Sequence, residues 1–351
     1  MNKKLPLKIN ASVHTECWTY FKLSIIEAYK QGKNWLYSHM PLYVDGKGCA
    51  MFGSTENKVL GMKYFSDILT FEKVDYWAIN PNEIVDTIIN CLDEEKYVIL
   101  YIFTPPKFKW PHEYLLFGYD KERQLFLTSL TSNNGMFREE TISFDDIKKG
   151  FSTLKNWYEN DKTTIEEKSN WFFLYTTISI SNSNTPDWNT TEILLKLLYE
   201  ANGKGYIELE NFQQDEGYTS HKVFYGFSSL LGMAEHMDGL IFSKQYIDSQ
   251  YFIEISDNLV RSLRKIYEYF TIIYESIKTL YLQYSSNDIY LCIKSYQQCY
   301  SRTKELYLIA IKFRETHNWD LLVNIRECMP NLYVDIKKTI MDLYLYVKEL
   351  S

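Results

Sequence analysis

This sequence is poor in the residues that break or staple a chain. Of 351 residues only 14 are glycine and 8 are proline, which excludes a collagen-like, low-complexity or disordered protein. Its six cysteines, at 17, 49, 91, 292, 299 and 328, form no Cys-x-x-Cys pair. That argues against a structural zinc site, and their wide spread argues against a disulfide scaffold. Reduced thiols in a cytoplasmic protein are expected. Long apolar runs are missing too. The longest, Tyr97 to Phe103, is seven residues, against the ~20 that a membrane span requires. No apolar stretch follows Lys3, Lys4 and Lys8, so no signal peptide is expected. Positive charge is also in deficit. With 38 basic and 45 acidic residues the formal net charge is -7, the wrong sign for a partner of the nucleic-acid backbone.

What the chain has in excess is aromatic residues: 30 Tyr, 20 Phe and 8 Trp. Such an excess suits a carbohydrate or cofactor site, but a coding bias toward Tyr, Asn, Ile and Lys is the expected reading. A hydrophobic fraction of 46% is enough for a sizeable core, and the length is that of two domains.

The hydrophobic pattern changes along the chain. From about Lys96 to Ser179 it reads as short strands: Tyr97–Phe103, His112–Tyr119, Gln124–Leu130, Met136–Ile142 and Asn170–Ile180. The polar turn Asp120–Arg123 makes the second and third of these an antiparallel hairpin. Helices are expected near Glu16–Gln31 and from Pro81 to about Leu92, Pro81 suiting a first turn. Residues 1–180 are thus expected to form an α+β domain, and the breaker-rich stretch Ser181–Pro186 a linker. Residues 187–351 read as helical. Thr190 or Thr191 suits the cap of a helix that Gly203 stops. Leu263, Ile266, Phe270, Ile273, Ile277 and Leu280 recur in steps of three and four, as do Ile289, Cys292, Tyr296, Cys299, Thr303, Leu306, Ala310 and Phe313. With a break at Ser285–Asp288 between them, they describe two long helices packed as an antiparallel hairpin along a narrow apolar seam. Leu332, Ile336, Ile340, Leu343 and Val347 mark a last helix, started or kinked by Pro330.

One pair of residues in the first half carries chemistry. Cys17 opens the first helix, where unpaired backbone N–H groups and the positive end of the dipole favour a thiolate. His112 opens a central strand, from which an imidazole can accept that thiol's proton. Cys292 and Cys299 fall on the helical seam and read as core. His221 and His236, with Glu216, Glu235 and Asp238 nearby, lack a tight metal-ligand spacing. Gly46-Lys47-Gly48 and Gly53-Ser54 complete no nucleotide-binding loop. No cofactor and no metal are expected.

The stretches Glu16-Cys17-Trp18, His112-Glu113-Tyr114-Leu115-Leu116-Phe117-Gly118-Tyr119-Asp120 and Ile142-Ser143-Phe144-Asp145-Asp146-Ile147 resemble papain-like cysteine folds of the bacterial peptidase type. In detail the chain is similar to the family of the butirosin-biosynthesis acyltransferase and its relatives in thiotemplated (nonribosomal) peptide gene clusters. The stretch from Tyr251 to Arg264 resembles the helical half of those relatives. The resemblance implies a papain-like first domain and acyl transfer in antibiotic biosynthesis. Cys17 would take an acyl or peptidyl group from the phosphopantetheine thioester of a carrier protein, and an amine acceptor would receive it as an amide. His112 would act as general base. A third residue should orient His112 from the neighbouring strand. Folding the hairpin about Asp120–Arg123 sets Leu130 or Thr131 opposite His112, leaving Asn133 as the candidate, with Thr131 or Ser129 as substitutes. No Gln lies between Met1 and Cys17 to stabilise an oxyanion, so the Cys17 N–H and the Asn10, Ser12 or His14 region would have to do so. Lys3, Lys4, Lys8, Lys107 and Lys109 are the basic residues available to an acidic carrier protein. A peptidase of the same fold and a noncatalytic binding protein are the competing readings.

Overall fold

The computed structural model describes residues 2–15, 17–40, 42–45, 48–52, 65, 68–74, 78–104, 111–131, 137–160, 175–180, 190–202, 206–208 and 222–350. Among these the strands are β1 (Asn2–Lys4), β2 (Leu42–Val44), β3 (Ala50–Phe52), β4 (Leu69–Lys73), β5 (Tyr97–Ile102), β6 (His112–Asp120), β7 (Leu125–Thr131), β8 (Phe137–Ser143), β9 (Tyr175–Ile180), β10 (Tyr206–Glu208) and β11 (Lys222–Tyr225). The helices are α1 (Cys17–Ile26), α2 (Lys30–His39), α3 (Ile84–Asp93), α4 (Phe144–Asn160), α5 (Thr190–Asn202), α6 (Ser229–Ser243), α7 (Ser249–Tyr284), α8 (Asn287–Thr316) and α9 (Trp319–Leu350). The architecture is α+β, with an antiparallel sheet early in the chain and long helices at its C-terminal end.

Two compact units divide the chain. The first comprises Met1–Gly32 and Phe65–Pro186, the second Lys33–Tyr64 and Asp187–Ser351. The resumption of the second unit at Asp187 coincides with the breaker-rich stretch, but residues 33–64 were expected in the first domain. They belong to the second because β2 pairs with β11, and carries β3 with it, in a four-stranded sheet of order β10-β11-β2-β3. A short strand contributes few backbone bonds, so its allegiance is decided by its pairing partner and not by its own sequence.

The first unit is built on a seven-stranded antiparallel sheet of order β4-β9-β5-β6-β7-β8, with β1 added against β6. The expected hairpin is β6–β7. Its register shifts between Leu116 and Gly118, so that Leu115 faces Ser129 and Leu116 faces Thr128. At Gly118 a Cβ would come within 2.5 Å of the Lys3 carbonyl oxygen, so glycine is what allows β1 to close in. Helix α1 is buried all round: Thr19 to Ile26 are each at most 1% exposed. Its sequence Cys-Trp-Thr-Tyr-Phe-Lys-Leu-Ser-Ile-Ile has almost no polar face, the pattern of a core helix. Fully burying each Leu, Ile or Phe side chain is worth about 1.5–3 kcal/mol. Lys22, within that helix, sets its ammonium 5.1 Å from the Phe65 ring centre and 5.6 Å from that of Phe71. The helix expected over Glu16–Gln31 ends at Ile26, and α2 starts separately at Lys30.

In the second unit the seam of α7 and α8 is as the spacing predicts. All fourteen residues of the two apolar series are buried. Ser285 turns the chain at φ 48°, and Ser286 caps α8 by accepting from the Asp288 N–H. Helix α9 is longer than expected. It starts at Trp319 and carries Pro330 inside it, with Leu322, Ile325 and Met329 buried ahead of the proline. The step of three and four residues runs straight through Pro330, and the burial it organises outweighs the one backbone bond that proline removes.

Candidate active site

Cys17 is the first residue of α1, and no acidic residue lies in that helix's first turn. The segment before it is fastened along the helix. Lys8 N–H donates to the Ser24 carbonyl at 2.9 Å and its ammonium to Glu27 at 2.8 Å. Ser12 N–H donates to the other Glu27 oxygen at 2.6 Å, and the Tyr20 hydroxyl to the Ile9 carbonyl at 2.7 Å. The buried Glu27 carboxylate thus ties residues 8–12 to the far end of α1. Since the Ser12 N–H is spent on Glu27, it is not available as the oxyanion donor considered above.

The helix is anchored to the sheet by Tyr20. Its ring stacks on Phe137 of β8 with centroids 3.5 Å apart and planes 8° from parallel. Its hydroxyl lies 3.1 Å from the buried Ser129 hydroxyl of β7. Burial pushes the Tyr20 phenol up to about 12, so it stays a neutral donor. His14 joins the same aromatic group, stacked 6.4 Å from Phe137.

The expected pair does meet. One ligand atom each from Cys17, His112 and Glu113 all lie within 4.8 Å of one another. His112 is held at the start of β6 by pairing with Ile102 of β5. Its Nδ1 stands 3.0 Å from the Glu113 carbonyl oxygen and 3.2 Å from the Glu113 carboxylate. Both acceptors face the same ring nitrogen, Nδ1. The His112 and Glu113 side chains are 24% and 22% exposed, and Cys17 is half-buried, so the cluster is open to a reactant.

The residues expected to orient His112 are only partly described. Asn133 lies outside the described residues. Ser129 is engaged with Tyr20. Past the bulge Leu115 pairs with Ser129 and Leu116 with Thr128, one place nearer the turn than the Gly118–Leu127 register would continue. A carboxylate beside His112 belongs to Glu113, its neighbour in sequence. Strand alternation normally sends consecutive side chains to opposite faces, so the sequence pattern does not mark Glu113 as a partner of His112.

Three of the five candidate docking lysines already have partners. Lys3 donates to the Asp93 carbonyl at 2.8 Å, while Lys4 and Lys8 pair with Glu139 and Glu27, each at 2.8 Å. Lys107 and Lys109 lie outside the described residues. Of the looser histidine group, His221 and Glu216 also lie outside them, His236 packs against Gly48, and Asp238 pairs with Arg326 at 2.6 Å. The seam cysteines are inert by burial, which pushes the thiols of Cys292 and Cys299 each up to about 11.

A cavity of about 300 Å³ in the first unit is lined by Thr104, Tyr114, Thr128, Glu140, Asp146 and Thr153, among others. Thr128 adjoins Ser129 on β7 and so points away from α1. No known protein family and no curated protein matches this chain. Among the described residues, no helix is long and apolar enough to cross a membrane.

Proposed function

We propose that this protein is a cysteine-dependent acyltransferase with a papain-like first unit, which moves an acyl group from a thioester to an amine. The observation that carries this reading is a thiol at a buried helix's N-terminus within 4.8 Å of a strand-borne imidazole and its carboxylate. His112 takes the Cys17 proton, and the thiolate sulfur attacks the thioester carbonyl. The carbon–sulfur bond of the donor breaks, and the departing thiolate takes the proton from His112. The amine then attacks the Cys17 acyl-enzyme, forming an amide and returning the thiol. Glu113 keeps the imidazole oriented and balances its charge while protonated. The Cys17 N–H, at the start of α1, is the donor this reading assigns to the tetrahedral oxyanion. The sequence resemblance supports a carrier protein as the donor, in the cytoplasm, and a natural-product pathway as the setting.

Intact-mass measurement after incubation with an acyl-pantetheine thioester tests the reading. The native protein should gain the mass of one acyl group, and Cys17→Ala none. Absence of an adduct with any of a series of acyl thioesters would overturn it. Addition of an amine should discharge the adduct as amide, and release of free acid alone would assign a hydrolase in place of a transferase.

A further inference from the structure

The same three side chains have the composition of a metal site. We propose that Cys17, His112 and Glu113 bind one zinc ion, which reversibly blocks the nucleophile. Tetrahedral zinc with ordinary bond lengths sets its nitrogen and oxygen ligands about 3.4 Å apart and its sulfur and nitrogen ligands about 3.6 Å apart. The His112 Nδ1 to Glu113 Oε2 distance is already 3.2 Å. The Cys17 sulfur lies within 4.8 Å of one His112 ring nitrogen and of a Glu113 carboxylate oxygen, so a closure of about 1 Å, within the reach of a χ1 adjustment, completes three ligands. Cysteine, histidine and glutamate are all accepted by zinc, whereas calcium and magnesium would discriminate against the sulfur and the nitrogen.

The surroundings favour a reversible ion over a permanent structural one. Three protein ligands leave the fourth position to water, and the partial exposure of His112 and Glu113 gives the ion a path in and out. No other group of three or more such side chains with this spacing occurs among the described residues. On binding, the Cys17 sulfur–hydrogen bond is replaced by a sulfur–zinc bond and the proton goes to solvent. Zinc coordination at Nδ1 moves the imidazole proton to Nε2, so the base is lost together with the nucleophile. The binding stands on geometry alone, while the blockade rests on the acyl-transfer reading above.

The test uses the whole chain, first stripped with a chelator. Zinc is titrated against a chromophoric chelator, and cobalt serves as a spectroscopic probe for a thiolate-to-metal charge-transfer band. The native chain should bind one equivalent and show the band. Cys17→Ser should abolish the band and lose most of the affinity. Glu113→Gln should weaken binding at least about 10-fold, the loss typical of even an outer-shell partner, and Cys328→Ser should change nothing. No stoichiometric binding, or binding unaffected by Cys17→Ser and by Glu113→Gln, would overturn the proposal. The acylation assay, run in chelator and then with one equivalent of zinc, separates the two readings. An adduct in chelator that zinc suppresses supports both. An adduct that zinc does not affect overturns the blockade and leaves the acyltransferase standing. Zinc held by Cys17 with no adduct from any thioester overturns the acyltransferase and leaves the metal site standing.

Discussion

His112 and Glu113, consecutive in the chain, bring an imidazole Nδ1 and a carboxylate oxygen to 3.2 Å of each other beside Cys17. A catalytic histidine is usually steadied from another strand; in the proposed reading Glu113 gives that support locally. Removing the carboxylate with Glu113→Ala should slow acylation about 10- to 100-fold, the worth of one hydrogen bond to a charged group. Glu113→Gln keeps an acceptor oxygen and should recover most of the rate. Equal losses in both variants, measured by stopped-time intact mass, would remove Glu113 from the orienting role.

Thiol reactivity should divide the cysteines by environment. Iodoacetamide at neutral pH should modify Cys17 fastest, then the exposed Cys328, and leave Cys292 and Cys299 untouched, since burial pushes the last two up to about 11. Peptide mapping over time gives the order. If Cys17 reacts no faster than Cys328, the helix terminus does not activate it.

Gly48 is required by its surroundings. Its φ is +70°, and a Cβ there would lie 2.2 Å from the His236 ring. Gly48→Ala should cost roughly 1–2 kcal/mol for the left-handed backbone alone, and more for the collision with His236. Adding His236→Ala should return the collision part and not the backbone part. A denaturant double-mutant cycle that shows simple additivity would contradict this contact.

Burial also lowers the pKa of His236. An unfolded chain therefore takes up this proton at a higher pH than the folded one does. Stability from His236 is fully present above the unfolded value, near 6.5, and is lost as pH falls through the lowered folded value. Melting temperature should drop from pH 7.5 to 5.5 by more in the native protein than in His236→Gln. Parallel curves would show that this imidazole is not what senses acid.

The seam of α7 and α8 was readable because its signal is local. Residues three and four apart share a helix face, so Phe270 and Tyr296 could be assigned to the core from spacing alone. The same period continues from Leu322 to Met329, but Pro330 hid the start of α9, because proline marks a boundary more often than an interior position. The bulge at Leu116–Gly118 was hidden for a different reason. It depends on how β6 meets β7 and leaves no mark on the hydrophobic alternation of either strand.

By itself the sequence determined that Cys17 opens a helix, that His112 opens a strand and that the last third of the chain is an apolar-seamed set of long helices. Each of these follows from local propensity and periodicity. Only the tertiary structure decided that Cys17 and His112 meet, that the Glu113 carboxylate stands beside the imidazole, and that residues 33–64 join the helical unit. Those outcomes depend on strand order, register and packing between segments far apart in the chain, where no single stretch carries the information.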